Sequence, residues 1–374
     1  MKIKYTPKDT FDLFQHTAFG IDLWTWIRVL VRNKWNVHPI YWPKAIMITL
    51  MALLSSPFHI LEALLFARKI KKVTCKDPVF IVGYFRSGTT YLFYLLGSDP
   101  KFVYPSTYQV LTPHLFLLFG KGMRKLFNSV MPETRPQDNV KISAESPSEE
   151  EFALANMTPF SLVNGYVFPR RIKETCEDCI HPKTKKQQEE WSKKLDYFVR
   201  KAILANGNQQ MLLKSPLNTA RIDEILKRYP NARFIHIHRN PYEVYISNEG
   251  LLEKILPKMA LNRAHEKELE QFIIDSYRDT YQNFLKSKQQ LRPDQLVEIR
   301  YSEFEKKPME ILQQVYDQIK LGDFSEVSSF IGQEVASGKS YKKNQHKPIP
   351  REKIEQINRE WDFMFQEYGY EKKQ

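Results

Sequence analysis

Residues 78–90 read Pro78-Val79-Phe80-Ile81-Val82-Gly83-Tyr84-Phe85-Arg86-Ser87-Gly88-Thr89-Thr90. Pro78 to Val82 is a short, apolar, β-branched run closed by a glycine, the composition of a strand buried on both faces in a parallel sheet. From Gly88 to Leu96 the apolar residues Leu92, Tyr94, Leu95 and Leu96 suit a helix, stopped by Ser98, Asp99 and Pro100. The order is strand, loop, helix, with Gly83 and Gly88 five residues apart in the loop. Backbone amides of such a loop converge on an anion at the positive end of the helix, making a cradle for phosphate or sulfate. A nucleotide triphosphatase loop would carry lysine after its second glycine; here Thr89 stands there and the basic residue sits earlier, at Arg86. No apolar strand ends in an aspartate that would hold magnesium. Both departures argue against ATP hydrolysis, whose γ-phosphate needs metal neutralisation.

Working outward, strand-like runs return at Met211–Lys214, Arg233–His238 and Leu296–Ile299, separated by helical stretches such as Thr219–Arg228. Strands alternating with helices predict an α/β fold: a P-loop-like central parallel sheet flanked by helices. Leu115–Ala205 reads as a helical insertion, in which Ser146-Pro147-Ser148 before Glu149, Glu150 and Glu151 mark a helix start with acids at its positive end. Met1 to about Thr74 reads as mostly helical. The expected organisation is an N-terminal helical extension over residues 1–76 and a catalytic domain over residues 77–374.

Within the extension, Ala45–Ala67 is apolar and about long enough to cross a bilayer, but Ser55, Ser56, Pro57, His59 and Glu62 interrupt it. Pro57 is expected to split the segment into two short helices. Packing against the catalytic domain, or lying on a membrane surface, is favoured over spanning. Met1–Thr10 is charged and lacks the apolar core of a secretory signal.

Hydrophobic residues at 42% and charged residues at 26% of 374 supply material for a packed core and exclude disordered and low-complexity classes. Lys and Arg outnumber Asp and Glu by 56 to 43, a formal charge of +13 that favours anionic ligands. No run of six basic residues and no RNA-binding or helix-turn-helix signature is present, so nucleic acid is not the expected partner. Three cysteines are too few for a disulfide framework and point to a reducing, cytoplasmic compartment. Cys176, Cys179 and His181 form C-x-x-C-x-H, but no second cluster lies nearby to complete a tetrahedral zinc site. They are read as thiols in a surface loop, and no metal is expected.

The core Arg86-Ser87-Gly88-Thr89-Thr90 after the first strand resembles the phosphosulfate loop of sulfotransferases that use 3′-phosphoadenosine 5′-phosphosulfate (PAPS). A second signature of that family, an apolar strand followed by an arginine and then a serine eight residues on, is matched by Phe234-Ile235-His236-Ile237-His238-Arg239 and Ser247. The guanidinium fork of Arg239 suits bidentate binding of a phosphate, and a hydroxyl one to two helical turns later can donate to the same oxygens. Leu213-Lys214-Ser215-Pro216 resembles the family's lysine-bearing strand end. The resemblance implies that Arg86, Ser87, Gly88, Thr89 and Thr90 hold the 5′-phosphosulfate, that Arg239 and Ser247 hold the 3′-phosphate, and that Tyr301 lies near adenine. It places Lys214 by the transferring sulfuryl group, where an ammonium stabilises charge building on the bridging oxygen. Lys339-Ser340-Tyr341-Lys342-Lys343-Asn344 stands where some members place a basic 3′-phosphate loop.

The general base is less legible. Cytosolic members use a histidine after the lysine strand, where this chain has Ser215 and Pro216. The candidates are Glu150, then Glu149, in a segment resembling the acidic stretch of a large, mainly bacterial sulfotransferase branch. Crowded carboxylates repel one another, which suits one of them to base work near neutrality. The implied reaction is metal-free transfer of a sulfuryl group from PAPS to an acceptor hydroxyl, leaving 3′,5′-bisphosphoadenosine. The apolar extension and aromatic-rich middle point to a sterol or other lipid alcohol, with a carbohydrate acceptor left open by the motifs. The alternatives are a P-loop-like nucleotide kinase and a non-catalytic scaffold on a membrane surface.

Overall fold

A computed structural model describes every residue of the chain except 8, 10–15, 132–141, 208–209 and 339–347. The basic segment from Lys339 to Asn344 lies outside the described residues. By contact the chain divides into two units that alternate along the sequence. The first comprises 1–75, 103–209 and 251–269, and the second 76–102, 210–250 and 270–374.

The second unit carries the sheet. Its strands are β1 (Val79–Val82), β2 (Phe102–Val103, at the boundary of the units), β3 (Gln210–Lys214), β4 (Arg233–His238) and β5 (Leu296–Arg300), in the order β2-β3-β1-β4-β5. β1 pairs in parallel with β3 and β4, and β4 with β5. All four residues of β1 are buried, as an apolar strand between two parallel neighbours requires. Ile81 lies opposite Lys214 on one side and Ile235 on the other, and His238 opposite Arg300. Residues 83–90, Lys214, Arg239 and Tyr301 therefore all leave the sheet at the carboxyl ends of its strands, where open α/β sheets collect ligands. The stretch expected as one helix over Thr219–Arg228 divides: Pro216–Ala220 is a 3₁₀ turn with proline at its start, and Ile222–Arg228 is the α-helix.

In the first unit, α1 (Leu23–Arg32) starts at Asp22, whose side chain accepts from the Thr25 N–H at 2.9 Å. The apolar segment that follows is a single 31-residue helix, α2 (Trp42–Lys72), so Pro57 does not split it. Proline removes one N–H and crowds the preceding turn, but Ile48 and Ala52 before it and Glu62 and Ile70 after it are buried, so packing holds both halves in one continuous helix. Cys176 and Cys179 are buried on the helix Ile172–Ile180 rather than in a surface loop. Their i, i+3 spacing sets both on the inward face of that helix. Among the described residues, no group of three or more His, Cys, Asp or Glu is placed to hold a metal ion.

Lys44 and Glu62, both on α2, are buried. Glu62 accepts from the Leu117 and Leu118 N–H groups at 2.8 and 2.9 Å, at the start of the helix Phe116–Val130, and pairs with buried Lys201. Lys201 also donates to the Pro113 carbonyl and lies 4.3 Å from the Phe116 ring centroid. Removing one partner of a buried pair leaves the other charge uncompensated. Lys201→Ala is expected to lower stability by about 3–5 kcal/mol in urea unfolding, and an unchanged midpoint would refute the pairing.

His59 and His114 stack with ring centroids 4.8 Å apart. Burial lowers His59 to about 4 and His114 to about 3, against the opposing pull of Asp22. Both folded values lie below the unfolded histidine range, so their contribution is present above pH 6.5 or so and is lost as protons bind the unfolded chain preferentially. The melting temperature is expected to fall as pH drops from about 6.5 toward 4, and to fall less in a His59→Gln, His114→Gln variant. Equal slopes for the two proteins would show that these rings do not carry the effect.

Candidate active site

The loop after β1 is tight enough to require both of its glycines. Gly83 has φ 144°, and a Cβ there would stand 2.3 Å from the Ile237 carbonyl oxygen. Gly88, at the start of the helix α3 (Thr89–Gly97), has φ 102°, and its Cβ would stand 2.3 Å from the Tyr301 ring. Between them Arg86 has φ 71°, a conformation few side-chain-bearing residues adopt and one that concentrates at ligand-binding turns. Gly88→Ala is expected to weaken binding of an anionic nucleotide by about tenfold or more, because it strains the backbone and displaces the Tyr301 ring together. Isothermal titration of the variant, beside a melting curve to confirm folding, checks this.

Side chains fix the loop from several directions. The Gly83 N–H donates to Thr219 Oγ1 at 2.7 Å, and Asn248 Nδ2 donates to the Phe85 carbonyl at 3.0 Å. The Tyr84 N–H reaches the Tyr281 hydroxyl at 3.5 Å, while the Tyr84 hydroxyl meets Ser276 Oγ at 2.7 Å. Tyr277, in turn, stacks on Trp361 at 3.8 Å between centroids. Sequence reasoning missed Thr219, Asn248 and Tyr281. Each is an ordinary helical or turn residue with no local signature, and only the three-dimensional approach to the loop marks it.

Around this loop the structure gathers the expected cofactor residues with Lys214. Arg86 Nε donates to Ser247 Oγ at 3.0 Å, and Arg239 Nη1 donates to the Arg86 carbonyl at 3.3 Å. The Arg239 guanidinium also lies 4.5 Å over the Tyr301 ring and pairs with Glu243 at 2.6 Å. The Tyr301 hydroxyl donates to Glu305 at 2.8 Å. Lys214 is 1% exposed, and its ammonium donates to Thr90 Oγ1 at 3.4 Å. Next to it, Ser215 Oγ is buried with no hydrogen-bond partner among the described residues. Backbone amides at the start of α3, a buried ammonium and two guanidinium groups thus meet at one sheet edge, and the missing Cβ atoms let the Ile237 carbonyl and the Tyr301 ring pack against the loop. The arrangement suits a ligand carrying several phosphate or sulfate groups.

Glu149 and Glu150 belong to the first unit. Glu149 stands at the N-cap position of the helix Glu150–Met157, Glu150 is its first residue and is fully buried, and Glu151 accepts from the Leu162 N–H at 3.3 Å.

A phosphate-type cradle at the carboxyl edge of a parallel sheet, with lysine and arginine but no triphosphatase lysine after the second glycine, suits an enzyme that transfers an anionic group. The chain belongs to the sulfotransferase family, whose model matches residues 78–326. It is 28% identical over 355 residues, 94% of this chain and 91% of the other, to the omega-hydroxy-beta-dihydromenaquinone-9 sulfotransferase Stf3 of Mycobacterium bovis. The protein of the same name from Mycobacterium tuberculosis matches with the same figures. Among solved structures, the sulfotransferase STF9 of Mycobacterium avium shares the fold with a TM-score of 0.70 at 17% identity, covering 99% of this chain and 98% of its own. The sulfotransferase STF1 of Mycobacterium tuberculosis does so with 0.67 at 14% identity, covering 88% of each.

Proposed function

We propose that this sulfotransferase uses PAPS as donor and a lipid alcohol as acceptor, and that it works in the cytoplasm at a membrane surface. The observation that carries the donor assignment is the convergence of Arg86, Lys214, Arg239 and the start of α3 on one sheet edge. PAPS, when bound, supplies a sulfuryl group on a phosphate leaving group. The amides and hydroxyls of Ser87, Gly88, Thr89 and Thr90, with Arg86, hold the phosphosulfate end. Arg239 and Ser247 take the 3′-phosphate, and Tyr301, stacked beneath Arg239, offers a face for the adenine. Lys214 places an ammonium in a site shielded from water, where charge stabilisation is strongest. Glu150, or Glu149 beside it, is the proposed base that accepts the acceptor's hydroxyl proton. These cations supply the positive charge that a metal supplies to kinases, so no metal is assigned. Residues 77–374 are read as the catalytic part and residues 1–76 as the extension that meets the acceptor's environment.

Support for a lipid acceptor comes from the mycobacterial relatives, named for a hydroxylated menaquinone, and from the long apolar helix α2, whose leucines are exposed. Melting curves with 3′,5′-bisphosphoadenosine, AMP and magnesium ATP test the donor. A ligand at about one hundred times its dissociation constant adds roughly 2.7 kcal/mol, so selective stabilisation by the bisphosphate is expected. Stabilisation by magnesium ATP alone would favour a kinase, and transfer to sugars but not to lipid alcohols would overturn the acceptor assignment.

A further inference from the structure

α2 is inside out. Of the side chains from Trp42 to Ala67, the ionisable ones are Lys44, His59 and Glu62; Lys44 and Glu62 are buried, at 1% and 2% exposure, and His59 is half-buried. Lys44 is satisfied by the carbonyls of Asp9 and Lys258 at 2.6 and 2.8 Å, and Glu62 by Lys201 and two backbone amides. The outward face carries the apolar residues instead, with Leu54 67% and Leu64 74% exposed. Thr49 is the single polar side chain exposed in that stretch, and its hydroxyl is already engaged, donating to the Ala45 carbonyl and accepting from Trp26 Nε1, each at 2.8 Å. Among the described residues, every exposed large apolar side chain except Leu126 and Phe330 lies between Trp24 and Leu65.

The ends of this face are not apolar. Arg68, Lys69, Lys71 and Lys72 are exposed over the last turns of α2, immediately after Ala67. Near its other end Trp35 and Trp42 are each more than half exposed, as is Trp24, which lies beside Ile60 at the middle of the helix. Lys34 and Trp35 take φ 53° and 54°, an uncommon consecutive left-handed turn that precedes the exposed Trp42. Grooves between α1 and α2 are lined by Leu23, Trp24, Ile27 and Ile60, and by Trp35, Trp42 and Ile46.

We propose that α1 and α2 form a docking face that lies in the plane of a bilayer rich in anionic headgroups, with the leucines in the acyl region, the tryptophans at the interface and the four basic residues against the headgroups. The charge arrangement selects this occupant. An apolar face ending in a cluster of cations matches a hydrocarbon layer bounded by negative headgroups. In-plane seating follows from Lys44 and Glu62, which tether one side of the helix to its own unit and would have to be drawn into hydrocarbon if α2 crossed the membrane. The proposal rests on the membrane-surface reading above, but not on the donor or the reaction.

The test is flotation of the full chain with vesicles of phosphatidylcholine, with and without phosphatidylglycerol. The wild type is expected to float, more strongly with phosphatidylglycerol, and its tryptophan emission to shift blue. Leu54→Glu with Leu64→Glu is expected to weaken vesicle binding by about tenfold or more, and Lys69→Glu with Lys72→Glu to remove the phosphatidylglycerol increment. All these residues are exposed, so melting curves and bisphosphate binding should match wild type. Wild-type protein that stays with the soluble fraction overturns the proposal, as does flotation indifferent to the leucine changes. A wild-type dimer by light scattering that becomes monomeric in the leucine variant assigns the face to a second copy instead. Failure of bisphosphate binding alongside intact flotation would remove the donor assignment and leave this surface standing.

Discussion

Replacing Lys214 with alanine is expected to lower kcat by about 10²- to 10³-fold, the usual cost of losing a preorganised group aimed at developing charge. Affinity for PAPS, in which that bond is intact, should change by less than about threefold, because the ammonium acts on charge that appears only as the sulfur–oxygen bond lengthens. The size of the effect follows from the setting. Lys214 ends a buried strand, is 1% exposed and lies within reach of Thr90, so little water screens it. Lys214→Met, which keeps the apolar stem, separates lost charge from lost packing and should be as slow as the alanine variant. A kcat within about twofold of wild type in both would remove Lys214 from the chemistry.

Arg239→Ala should show the opposite split. The dissociation constant for 3′,5′-bisphosphoadenosine is expected to rise about 100-fold, since hydrogen bonds to a charged group contribute about 1.5–3 kcal/mol and Arg239 can make two in parallel. Affinity for AMP, which lacks the 3′-phosphate, should change little, and kcat at saturating donor should stay near wild type. Arg239→Lys should recover only part of the loss, because an ammonium cannot reproduce the planar fork that also stacks over Tyr301 at 4.5 Å. Glu243 holds the same guanidinium at 2.6 Å, so a phosphate must compete with a carboxylate for it. Titration calorimetry with both nucleotides decides the matter, and equal losses for AMP and the bisphosphate would take Arg239 away from the 3′-phosphate.

Where a segment's local pattern and its tertiary setting agree, the sequence was enough to read it. Val79–Val82 and Arg233–His238 are apolar strands with buried neighbours on both sides, and their composition says so. The glycines of the loop, Arg86, Lys214 and Arg239 were legible because each sits at a strand end in a recognisable string. Legibility failed where packing overrides a local signal. Pro57 breaks an isolated helix but not one anchored on both sides, and Cys176 and Cys179 look like loop thiols until their helix is seen to turn them inward. It failed too where a contact spans a long stretch of chain. Nothing near Gly88 announces that the Tyr301 ring fills the space a Cβ would take, and nothing near Gly83 announces Thr219.

The alternation of the two units along the chain has a consequence for biosynthesis. Neither unit is contiguous, so neither can be completed on the ribosome before residue 269 has been made. α2 emerges early, yet the partner of its Glu62 is Lys201, 139 residues later, and a carbonyl that receives its Lys44 is 214 residues later. At about 5–20 residues per second, the nascent helix spends on the order of 7–28 s waiting for Lys201 alone. During that interval it is apolar on the outside with two unpaired charges on the inside. An early lipid surface or a chaperone would cover the leucines in that interval, and without either the nascent chain presents a long adhesive stretch to its neighbours. Yield of soluble chain should therefore depend on what meets residues 42–72 first, rather than on the stability of the finished fold.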